Sequence, residues 1–160
     1  MNSSKMPPGG LYLLTPEEAD SGRLRARVEP VLAAGAALLQ LRCKDGDRAR
    51  RRRHAEALLP ACGALGVPLL INDDWRLAAD LGLGAHLGEQ DGELRDARAA
   101  LGPGAILGAS CYDDLERART GGQVMATPLL PASGEATQVI SRPQPTSVLP
   151  PQQDQPGEPG

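Results

Sequence analysis

Between residues 11 and 119 the chain repeats one pattern: a short apolar run, then a longer stretch rich in Ala, Leu, Arg and Glu. Runs of this length followed by helical periodicity predict strand–helix units. Strands that alternate with helices pair in parallel. Five such units are expected. The core between sheet and helices must be built from Leu, Ala, Val and Ile, because aromatic residues make up only 2% of the chain and Phe is absent.

LYLL (11–14) is the first expected strand, and 23–35 a helix with Leu24, Val28, Val31 and Leu32 on one stripe, bent at Pro30. ALLQLRC (37–43) is the second strand. Asp47 caps a helix over 48–65 whose stripe is Ala55, Leu58, Leu59, Cys62 and Leu65. VPLLIN (67–72), AHLG (85–88) and AILGAS (105–110) are the remaining strands. Helices are expected over 74–82, ended by Gly82, near 92–101, and from 112 to 119. Beyond residue 120 the composition changes. That segment holds eight of the fifteen prolines and six glutamines, with few charges. From Gln138 onward it has too little apolar surface to offset chain ordering and reads as disordered; 124–130 makes at most one weak extended stretch. The organisation expected is a flexible N-terminus (1–9), a domain over 10–119, and a Pro/Gln/Gly-rich tail over 120–160.

Several function classes drop out. A net charge of −3 gives no global field favouring nucleic acid. No segment approaches the roughly 20 apolar residues of a membrane helix, and MNSSKMPPGG lacks the apolar stretch of a signal peptide. Cys43, Cys62 and Cys111 have no metal-like spacing and read as reduced thiols of a cytoplasmic protein.

The informative feature is where polar residues fall. Each strand after the first is apolar until its C-terminal end and then turns polar: Gln40, Arg42 and Lys44; Asn72 and Asp73; Gly88 through Asp91; Ser110. Ligands of parallel α/β folds bind outside the carboxyl ends of the strands. Arg42 and Lys44 suit a phosphate or diphosphate, although a solvated strand end explains them equally. Asp73 and Asp91, on adjacent strand ends, can hold one Mg2+ with phosphate oxygens and waters. Capping of the next helix is the plainer use of Asn72-Asp73-Asp74. Gln40 and Asn72 can both donate and accept, as recognition of a heterocycle requires. His54 and His86 read as surface and packing residues rather than ligands. RARRRR (48–53) is a solvated helix face, an attractor of anionic substrate, or a nucleic-acid patch.

Taken in order, Gln40-Leu-Arg-Cys-Lys44-Asp, Ile71-Asn72-Asp73, His86-Leu-Gly-Glu-Gln-Asp91 and Gly108-Ala-Ser110-Cys resemble the thiamine-phosphate synthase family, TIM-barrel transferases, over roughly residues 10–119. Thiazole tautomerases are similar in fold but keep less of the diphosphate-binding set, so the Gln-x-Arg-x-Lys run and both aspartates favour the synthase. The resemblance implies an α/β fold, a partial TIM (βα)8-type barrel of about five βα units with a disordered C-terminal tail. It implies a transferase of thiamine biosynthesis that joins hydroxymethylpyrimidine diphosphate to a thiazole phosphate and releases diphosphate. By motif, Gln40, Arg42, Lys44, Asn72 and Ser110 contact the pyrimidine diphosphate, and Asp73 and Asp91 bind Mg2+.

One departure accompanies it. The pattern stops near Arg119, and the family's Thr-rich, Lys-containing phosphate loop has no counterpart: no lysine follows Thr127. The tail reads as that of a C-terminally truncated or frame-shifted product carrying half a site. Self-association through the open barrel is then expected. The alternative is a non-catalytic fragment that binds a Mg-diphosphate ligand or a partner chain; a nucleic-acid binder rests on RARRRR alone.

Overall fold

The computed structural model describes Pro7, residues 9–88 and 90–110, and the backbone of 125–127 and 138–141. Its elements alternate as expected: β1 (Gly9–Leu14), α1 (Ser21–Ala33), β2 (Ala36–Leu41), α2 (Arg48–Leu65), β3 (Leu69–Asn72), α3 (Trp75–Leu81), β4 (Gly84–Leu87), α4 (Leu94–Leu101), β5 (Leu107–Ser110), β6 (Met125–Thr127) and β7 (Gln138–Ser141). One sheet runs in the order β6-β5-β4-β3-β2-β1-β7. β1 through β6 pair in parallel, and β7 lies antiparallel on β1. This is a half-barrel of βα units. Among the described residues no helix is long and apolar enough to cross a membrane.

Carboxylates and glycines set the helix ends. Asp20, Asp47 and Asp74 each accept a backbone N–H three residues on, at 2.8, 3.1 and 2.9 Å, and so start α1, α2 and α3. α2 and α3 end at Gly66 and Gly82, both left-handed. Two strands differ from expectation for identifiable reasons. β3 begins at Leu69 rather than Val67, because Pro68 has no N–H to give the ladder; its carbonyl still accepts from Leu39 at 3.0 Å. β2 stops at Leu41 rather than Cys43, because the Arg42 amide donates to the Thr15 hydroxyl at 3.0 Å. Val31 and Leu65, expected on the helix stripes, are exposed.

Alternation divides the sheet into two faces. Leu39, Leu41, Leu69, Ile71, Leu87 and Leu107 point outward into a core completed by Leu24, Leu32, Leu58 and Leu77 of the helices. Each such leucine contributes about 2 kcal/mol relative to exposure. The inner face carries a separate apolar floor of Tyr12, Leu38, Leu70 and Ile106. Gly84 makes that floor possible. A Cβ there would collide with Leu70 Cδ2 and the Ile106 carbonyl oxygen. That oxygen cannot swing away, since it accepts the Ala85 amide at 3.0 Å. Gly84→Ala is therefore expected to cost about 1–3 kcal/mol, read as a lowered urea midpoint; an unchanged midpoint would show that the floor can give way.

The two last strands come from the region of changed composition. β6 falls within the expected 124–130 stretch. β7, assigned no strand from the sequence, joins Val139 and Ile140 to the open edge of β1, whose N–H and C=O groups otherwise lack a ladder partner. The expected helix over 112–119, the N-terminal residues 1–6 and the rest of the 120–160 tail lie outside the described residues.

Candidate functional site

Residues in register across parallel strands share a face. Gln40 lies opposite Leu70, Asn72 opposite His86, and His86 opposite Gly108, so the last inward positions of β2 through β5 meet above the apolar floor. Gln40, Asn72 and His86 are buried there, and Ser110 is half-buried.

A hydrogen-bonded chain crosses this inner face. The Gln40 amide nitrogen donates to the Tyr12 hydroxyl at 2.7 Å. That hydroxyl lies 3.3 Å from His86 Nδ1, and His86 Nε2 lies 3.0 Å from Ser110 Oγ. Burial pushes the Tyr12 phenol far above its ordinary value, so it stays an O–H donor; the Gln40 hydrogen bond offsets only part of this. β1, β2, β4 and β5 each supply one member.

The acidic pair sits at the rim. Asp73 directly follows β3 in the left-handed region, φ 68°, with its N–H on the His86 carbonyl at 2.9 Å. Asp and Asn tolerate that conformation better than most residues. Asp91, in the loop after β4, accepts the Gly88 amide at 2.6 Å. A Cβ at Gly88 would stand 3.0 Å from the same carboxylate oxygen, so glycine leaves Asp91 its position. Burial and then the neighbouring Asp91 carboxyl push the Asp73 carboxyl up to about 6, with Arg51 and Arg42 pulling the other way. The two carboxyl groups are thus in hydrogen-bonding contact, and the charges of Arg51 and, less strongly, Arg42 act on Asp73. Among the described residues no cluster of three or more His, Cys, Asp or Glu could hold a metal. A pair of carboxylates is nevertheless the usual protein share of a Mg2+ site, the rest coming from phosphates and water.

The remaining expected residues divide. Arg42 is half-buried, whereas Lys44 lies exposed in the turn beyond β2, its amide on Glu17 at 3.2 Å. The arginine run is largely neutralised within the fold. Arg48 meets Asp80 at 3.0 Å, Arg50 meets Asp45 at 2.6 Å, and Arg52 meets Asp80 at 3.5 Å. Arg51 turns inward instead of facing solvent, reaching Asp74 at 3.3 Å and the Cys43 carbonyl at 2.9 Å. This is a helix face laced with ion pairs rather than an open basic strip. His54 packs as read from the sequence, held by Ser21 at 2.7 Å and the Glu18 carbonyl at 2.8 Å. His86 does not merely pack. The signals for it were its inward parity and its place at the end of a strand, shared with Gln40 and Ser110; Tyr12 gave none beyond being a lone polar-tipped residue in an apolar run.

A family model described as thiamine monophosphate synthase matches residues 11–130. The chain is 50% identical over 113 residues to a thiamine-phosphate synthase of Thiobacillus denitrificans, covering 70% of this chain and 54% of that protein. It is 50% identical over 112 residues to one of Bordetella pertussis, covering 69% and 52%. Against one of Xanthomonas campestris it is 52% identical over 111 residues, covering 69% and 53%. The chain therefore spans about half the length of these curated relatives. Among solved structures, thiamine phosphate pyrophosphorylase from Pyrococcus furiosus superposes with a TM-score of 0.60 at 23% identity, over 75% of this chain and 60% of that one, a likeness of fold.

Proposed function

The chain belongs to the thiamine monophosphate synthase family, and on that premise we propose that its strand-end site binds hydroxymethylpyrimidine diphosphate with Mg2+, as the pyrimidine half of a thiamine-phosphate synthase active site. The observation that carries this is the contact of the Asp73 and Asp91 carboxyl groups after the neighbouring strands β3 and β4, within reach of the Arg42 charge, at the same strand ends where the amides of Gln40 and Asn72 are buried.

The roles follow from the chemistry. Gln40 and Asn72 hydrogen-bond the ring and fix its orientation. Ser110 adds a hydroxyl from the end of β5 at the same rim. Arg42, and Lys44 from the turn, take the diphosphate. Asp73 and Asp91 would hold Mg2+, which when bound neutralises charge on the leaving diphosphate. In the transfer, the bond between the methylene carbon and the diphosphate oxygen breaks with its electron pair going to diphosphate, and the thiazole nitrogen supplies the pair for the new carbon–nitrogen bond. No protein nucleophile is needed. The protein's own contribution is fixed positive charge where negative charge grows. The reading places the chain in the cytoplasm, in keeping with Cys43 and Cys62 as free, buried thiols. Self-association would use the β6 edge, since β7 occupies the edge of β1.

The test is calorimetric titration of the purified chain with hydroxymethylpyrimidine diphosphate, with and without Mg2+, followed by addition of thiazole phosphate and assay for thiamine phosphate. Micromolar, Mg2+-dependent binding is expected. Binding with turnover assigns the full reaction, binding without turnover assigns the half-site, and no binding in either condition refutes the proposal.

A further inference from the structure

The charged residues of the rim lie on separate segments. Arg42 and Lys44 are on the stretch that follows β2, and Asp73 directly follows β3. The register between these two strands ends at the pair Leu41 and Ile71, so the ladder extends to neither segment. One side chain joins them. Arg51, in the first turn of α2 and only 6% exposed, donates from Nη2 to the Cys43 carbonyl at 2.9 Å, between Arg42 and Lys44. Its Nη1 donates to the Asp74 carboxylate at 3.3 Å, next to Asp73. That carboxylate also accepts the Leu77 amide at 2.9 Å, so the guanidinium grips α3 at its start. The remaining donor, Nε, is buried without an acceptor, which costs stability. A buried guanidinium is in any case weak evidence for stability. What this one provides is a planar fork with its two ends seated on two segments.

We propose that Arg51 is a positioning residue that sets the spacing between the cations taking the diphosphate and the carboxylates holding Mg2+, so that a metal-bridged diphosphate meets both at once. This rests on the reading of the site as a Mg-diphosphate pocket and adds the residue that joins its two halves. Arg51 acts through the Cys43 carbonyl and Asp74 and need not touch the ligand. Losing the tie leaves Arg42, Lys44, Asp73 and Asp91 in the chain. Each half then keeps what it binds alone, and what disappears is the advantage of binding anion and metal together, because the segments are no longer preorganised.

Two measurements on Arg51→Lys test this. Lysine keeps the charge and much of the aliphatic stem but replaces the planar fork with a single nitrogen. Calorimetric titration with inorganic diphosphate, in Mg2+ and in chelator, reads how far the metal tightens binding. In the variant that enhancement is expected to fall about tenfold, with metal-free affinity within twofold of wild type. An unchanged enhancement overturns the proposal, and so does an equal loss of affinity in both conditions, which is what general damage to the fold would give. Amide exchange of the ligand-free chains is the second measurement. Faster exchange over both 43–46 and 74–78, with α1 unchanged, is expected. Loosening of only one segment, or of neither, overturns the proposal even where affinity changes. Should wild type show no Mg2+-dependent binding of diphosphate, the pocket reading itself fails and takes this proposal with it.

Discussion

Replacing Asp91 by Asn is expected to weaken Mg2+-dependent binding of hydroxymethylpyrimidine diphosphate by about 100-fold, roughly 2.7 kcal/mol. The substitution is chosen so that little else changes. Asn keeps an oxygen for the Gly88 amide, which Asp91 now accepts at 2.6 Å, so the loop after β4 keeps its anchor. Asp73→Asn should do the same, since Asn also tolerates the left-handed backbone at that position. The metal-free protein adds a second readout. The Asp73 carboxyl is pushed up to about 6 by burial and by Asp91. A group whose pKa rises on folding stabilises the fold while protonated and loses that contribution as pH climbs through the folded value. Without Mg2+ the wild type should therefore lose stability between about pH 4 and 6, and Asp73→Asn should not. Calorimetry with and without chelator checks the affinity, and urea midpoints against pH check the repulsion. Wild-type affinity in both variants would mean that the carboxylates hold no metal.

Arg51→Ala should destabilise the fold by about 3 kcal/mol, far more than loss of any neighbouring arginine. Its guanidinium is buried, with Nη1 on Asp74 at 3.3 Å and Nη2 on the Cys43 carbonyl at 2.9 Å. Truncation leaves the half-buried carboxylate that caps α3 with only the exposed Arg48 as a cationic partner, and removes the donor that holds the chain just past β2. Arg48 reaches the same Asp74 at 3.4 Å from a half-exposed position, so Arg48→Ala should cost less than about 1 kcal/mol. Denaturant unfolding of the two variants separates a buried tie from a surface pair. Equal shifts would show that Arg51 is not the strut described.

Much of the fold could be read from the chain because the outer face is written in a single period. Leu39, Leu41, Leu69, Ile71 and Leu87 alternate along their strands, and the helices bring Leu24, Leu58 and Leu77 to meet them. Parity also placed Gln40, Asn72 and Ser110 together at one rim. It failed where the strand itself failed. Arg42 and Cys43 were expected inside the second strand and Lys44 at its end, but Thr15 takes the Arg42 amide and ends the strand, so Lys44 lands in a turn. Arg51 was lost in a run of like residues, since nothing local says which of five arginines faces inward. Tyr12 and His86 were harder still. Their partnership joins residues far apart in sequence, and neither local periodicity nor a motif encodes a contact between the first strand and the fourth.

The antiparallel seat of β7 on β1 has a consequence for the order in which the molecule assembles. Every parallel pair from β1 to β5 joins neighbouring units through one intervening helix, so those contacts are local and cheap in loop entropy. The pairing of Gly9 with Ser141 instead closes nearly the whole described chain into one loop and returns only a four-residue ladder. The βα units can zip in sequence before β7 arrives, and β7 is the piece whose departure leaves the rest of the sheet and the pocket wall intact. Amide exchange along the outer edge of β1 would then proceed through a sub-global opening, well ahead of the strands that carry Gln40 and Asn72.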